Sequence, residues 1–61
     1  MRKVSFTIDG NNMINGLFHG FFAVDEIVGP QLFQRVVVAM VEDADEGKVY
    51  EIDPSFMTFL D

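Results

Sequence analysis

Residues 31–43 read QLFQRVVVAMVED, and whether they form a strand or a helix decides the fold. The helical case has two supports. Leu32, Phe33, Val36, Val37, Met40 and Val41 recur at helical spacing, and Pro30 stands where a first helical residue would. Two facts weigh the other way. Three successive valines lose χ1 freedom in a helix, and the acidic residues Glu42, Asp43, Asp45 and Glu46 would crowd the negative end of its dipole. Arg35–Glu42 is therefore read as a strand and the protein as all-β. The alternative is an α+β protein with a helix near residues 31–43.

Working outward, RKVSFTID (residues 2–9) alternates, with Val4, Phe6 and Ile8 on one side and Lys3, Ser5, Thr7 and Asp9 on the other. That is the pattern of a half-buried strand. Asp9–Asn12 is a turn signal. Met13–Val24 reads as a second strand, apolar on both faces, whose glycines at 16 and 20 mark bends or bulges. Asp25–Gln34 reads as a loop around the Gly29-Pro30 break. After the turn Asp43–Gly47, Lys48–Asp53 returns antiparallel. Proline lacks a ladder donor, so Asp53-Pro54 turns the chain over one end, and Met57–Leu60 pairs back to cover an open edge.

Sixty-one residues make one domain, and a chain of this size buries only about 60% of the surface it exposes when unfolded. No cysteine is present to staple it, and 49% of the residues are hydrophobic, seven of them Phe. Such an apolar excess points to self-association or another protein partner. The net charge of −6, with only four Lys and Arg, disfavours nucleic acid and anionic membrane surfaces. The absence of a signal-like apolar run and of cysteine fits a cytoplasmic protein.

No catalytic set emerges. His19 has no recognisable nucleophile or orienting carboxylate around it, so packing at a rim or a subunit contact is its expected role. Setting Asp43 and Asp45 at the first and third places of a calcium loop puts Pro54 where a glutamate is required. The expectation is a non-enzymatic protein with no metal and no cofactor.

The ending, a strand followed by Pro54-Ser55-Phe56 and a short final strand, resembles Src-homology-3-type small barrels. In that family the segment reads Pro-Ser-Asn-Tyr-Val; here Phe56 and Met57 replace the asparagine and tyrosine. The family's acidic Ala-Leu-Tyr-Asp-Tyr segment and paired tryptophan, which dock polyproline helices, have no counterpart. The resemblance implies a five-stranded Src-homology-3-like barrel forming a single domain over residues 1–61. The HGFF strand and the DPSFMTFLD ending are also similar to short proteins carried by phages of gut bacteria. That likeness implies a second reading, an acidic phage-encoded inhibitor of a host nucleic-acid-binding protein.

The first reading is a protein-binding or homo-oligomeric assembly module. If Phe18, Gly20, Phe22 and Val24 fill the barrel, strict alternation leaves Leu17, His19, Phe21 and Ala23 as an outer apolar face. Those four residues are the expected interface. The closing role of the C-terminal segment generates a test. A chain ending at Asp53 loses Phe56, Met57, Phe59 and Leu60, each worth roughly 1.5–3 kcal/mol when fully buried. It should show no cooperative thermal transition by circular dichroism; a retained transition would reject the closing strand.

Overall fold

Val4 and Phe6, alternating with polar neighbours, make β1 (Arg2–Phe6) an inner strand of a single antiparallel sheet. The computed structural model describes Met1–Asp61. The other strands are β2 (Ile14–Gly29), β3 (Leu32–Asp43), β4 (Val49–Ile52) and β5 (Met57–Phe59), in the sheet order β4-β3-β2-β1-β5. The fold is all-β, without an α-helix. Residues 32–43 are strand throughout, so the α+β alternative is overturned. The β-branched run pairs along its length with β2, which satisfies the backbone without a helix.

β4 and β5 are the two edges and share no ladder, so the sheet is not closed into the expected barrel. It curls instead around a small core. Val4, Phe6, Ala39, Val41 and Ile52 are buried, with Ile14, Phe18, Tyr50, Met57 and Phe59 packed against them. A 3-10 turn, Pro54–Phe56, carries the chain from β4 to β5. The Asp53 carboxylate caps it by accepting from the Ser55 N–H at 2.9 Å, and the Thr7 N–H donates to the Phe56 carbonyl at 3.0 Å. β5 then pairs with β1, and the Leu60 N–H donates to the Lys3 carbonyl. Only Met57 and Phe59 of the closing segment face the core; Phe56 and Leu60 stay about half exposed.

Three local readings need correction. β1 stops at Phe6, so Thr7 is buried and Ile8 is exposed, because the chain leaves the ladder for the Asp9 turn. Residues 25–34 are not a loop. Ile27 and Phe33 are strong β-formers and stay paired, Val28 is bulged out of the register and Gly29 pairs with Leu32, which leaves Pro30-Gln31 as a two-residue turn. Gln31 takes φ 59°, the only non-glycine residue with a positive value. Finally, the β2–β3 register shifts between Phe18 and Gly20, so His19 is an extra residue and the strand's inward parity changes there.

Gly16 is where neighbouring groups crowd the sheet most closely among its glycines. It lies in β2 between Val4 of β1 and Asp43 of β3. A Cβ at this position would overlap the Glu42 carbonyl oxygen and come within 2.7 Å of Cε1 of the wholly buried Phe6. Backbone and a packed ring cannot both yield. Gly16→Ala should destabilise the protein by at least about 2 kcal/mol, measured by urea denaturation; a loss under half of that would show that the contact is soft.

Candidate interaction surface

β1 covers β2 only over Ile14–Phe18, and β4 covers β3 only over Ala39–Glu42. Beyond these points β2 and β3 run on alone, as a two-stranded ribbon from Phe21 to Val38 with its turn at Pro30-Gln31. The ribbon stretches the molecule to 39 × 23 × 19 Å. A free two-stranded hairpin is marginal in water, and its two open edges present unpaired N–H and C=O groups.

Residues opposite one another in a ladder share a face. Phe21, Ala23, Asp25 and Ile27 pair with Ala39, Val37, Arg35 and Phe33, which places them on the face continuous with the core. Phe22, Val24 and Glu26 pair with Val38, Val36 and Gln34 on the opposite face. Both faces are apolar and open: Ile27 is 73% exposed and Phe33 63%, while Phe21, Phe22, Leu32 and Val37 each leave half or more of their surface free. Scattered apolar residues are ordinary on a protein surface, whereas a contiguous group marks a contact site.

The expected interface is divided by the bulge. Leu17 pairs with Glu42 on the outer face, and His19 is the bulged residue, its Nε2 2.9 Å from Glu42 Oε1. Phe21 and Ala23 lie on the other face, with the Phe21 ring edge-on to Phe18 at 4.9 Å. The four do not form one surface. Phe22 and Val24, expected inside, face outward. Ile27, Leu32 and Phe33 were missed altogether, because Gly29-Pro30 made their surroundings read as loop. Their signal was the pair of β-prone dipeptides flanking a two-residue break.

The polar groups are engaged in local structure. Asp9 closes the β1–β2 turn, accepting from the N–H groups of Asn12 and Asn11 and from the Asn12 amide and Thr7 hydroxyl. Chiefly the Asn12 and Asn11 N–H groups lower its pKa from 3.8 to about 2. Asp53 is lowered for the same reason, first by the Ser55 N–H. Asp43 accepts from the N–H groups of Asp45 and Glu46, so the acidic EDADEG stretch is a capped turn. Nowhere do three His, Asp or Glu groups converge as a metal site requires. No helix of the chain is long and apolar enough to cross a membrane.

No protein-family model, curated protein or solved structure matches the chain.

The Asp9 turn yields a pH prediction. A carboxyl whose folded pKa lies below its unfolded value stabilises the fold above that unfolded value, and the effect fades as pH falls through the folded one. Asp9→Ala should lower the thermal midpoint at pH 7. The difference from the parent should shrink between pH 4 and pH 2, as followed by thermal melts across that window; a difference unchanged at pH 2 would contradict the assignment.

Proposed function

We propose that this protein is a non-enzymatic assembly module with an Src-homology-3-like body, which associates with further copies of itself through the β2–β3 ribbon. The single observation that carries this reading is the ribbon, a long hairpin projecting past the core with large apolar side chains open on both faces. Burying one such side chain contributes roughly 1.5–3 kcal/mol, so leaving several in water is a heavy cost for a domain with so few buried residues. Association removes that cost.

The Src-homology-3-like description of the body is supported by the segment that carries the resemblance. β4 ends in a one-turn break at Pro54–Phe56, and the short β5 returns to pair with β1. Binding of proline-rich peptides is not part of the proposal, because the aromatic groove residues of that family have no counterpart here.

Phe33 is the sharpest probe, since it lies near the ribbon tip and outside the core cluster. Sedimentation velocity from low to high micromolar concentration should give a mass above the 6.9 kDa of one chain. Phe33→Ser should weaken association roughly tenfold or more and leave the thermal midpoint close to that of the parent. A parent that stays at monomer mass throughout would overturn the proposal.

A further inference from the structure

We propose that assembly proceeds by strand exchange: the β2–β3 turn opens, and β2 of each copy pairs with β3 of a second copy. This rests on the reading that the chain assembles with itself, and it names how. The carrying observation is how the ribbon closes: the register shifts between Ile27 and Gly29, and Gln31 takes a left-handed φ. Every ribbon pair from Gly20↔Met40 to Ile27↔Phe33 is symmetrical about Pro30. Continued straight, the register sets Val28 opposite Leu32, Gly29 opposite Gln31 and Pro30 opposite itself.

A single chain cannot complete that pattern, because it has to reverse direction at Pro30. The hairpin escapes by shifting register at Val28, closing with Gly29 against Leu32, and placing Gln31 at φ 59°. That region is used readily by glycine and disfavours a residue with a Cβ by roughly tenfold. Two copies related by a twofold axis at Pro30 complete the pattern with every residue extended. Pro30 has a φ suited to extended chain, and a residue preceding proline is biased the same way, which suits Gly29. The ladder from Gly20 to Ile27 survives unchanged, now between chains, and so does the Asp25–Arg35 pair at 3.4 Å.

Charge favours the same arrangement. Each copy carries −6, so bodies that approach one another repel. The segment Ile27–Phe33, IVGPQLF, contains no charged residue. Exchange at the tip brings this neutral segment together with its copy and holds the two bodies at opposite ends of a joined ribbon. Short hinge loops under strain are the setting in which such exchange occurs.

The chain has no cysteine, so an engineered pair reports cleanly. Ala23 and Val37 are register partners on one ribbon face, and cross-strand partners lie within disulfide reach. The double variant Ala23→Cys with Val37→Cys, refolded at high micromolar concentration, oxidised and run on a denaturing gel without reductant, should migrate as a covalent dimer. Ala23→Cys alone should not. In parallel, Gln31→Gly removes the left-handed penalty from both closed hairpins and should weaken the dimer roughly a hundredfold. A double variant that sediments as a dimer but runs as a covalent monomer would overturn strand exchange while leaving self-association intact. A protein that is monomeric by sedimentation would overturn both. A dimer band of equal strength from Ala23→Cys alone, or unchanged dissociation in Gln31→Gly, would also reject the exchange.

Discussion

The fold depends on the Phe6 ring lying over Gly16. Phe6 is fully buried, and its Cε1 takes up space that any side chain at Gly16 would need. The missing Cβ lets β1, β2 and the Glu42 carbonyl of β3 crowd together at one point. Tyr50 completes the arrangement, its ring centroid 6.0 Å from that of Phe6. The remainder of the body follows from this contact: the edge strands are short, and the 3-10 turn between them is capped by a single carboxylate.

The His19 bulge divides the molecule into two parts with different physics. On the near side, even-numbered residues of β2 face the core; on the far side, odd-numbered ones do. One inserted residue therefore keeps Phe18 and Phe21 in contact, although strict alternation would place them on opposite faces. Near the body, each of β2 and β3 has neighbours on both sides. Past the bulge β2 has an open edge at once, and β3 loses its second neighbour beyond Ala39. The His19–Glu42 contact at 2.9 Å spans the junction on the outer face.

Much of this was legible in the residues. The alternation of Val4 and Phe6, the valine run at 36–38, the Asp-Pro break and the short closing strand all carry local signals, and the structure contains each of those elements. Two features escaped: the first left no local signal, and the second was masked by a stronger one. A bulge is a property of how two strands pair, and alternation within one strand cannot reveal it; hence the division of Leu17 and His19 from Phe21 and Ala23. The second is the ribbon. Gly29-Pro30 is strong loop chemistry, but here it occupies only the turn, and cross-strand pairing holds Asp25–Ile27 and Phe33–Arg35 in the ladder. Closure of the sheet into a barrel was also expected, from the glycine corners of the second strand, the closing C-terminal strand and the resemblance of the ending, but the short edge strands do not meet.

The pairing of β5 with β1 also has a kinetic meaning. Arg2 Nε lies 3.0 Å from the Asp61 carboxylate and its guanidinium sits 3.6 Å above the Phe59 ring, so contacts that finish the body join residues almost a whole chain apart. The β2–β3 hairpin is built from residues close in sequence. Loop closure makes distant pairings slow and local ones fast. During synthesis the β1–β2 and β2–β3 hairpins are thus able to form early, while the body waits for β5 to leave the ribosome. In that interval the ribbon has no finished domain beneath it, and its apolar side chains stand open to whatever surrounds the nascent chain.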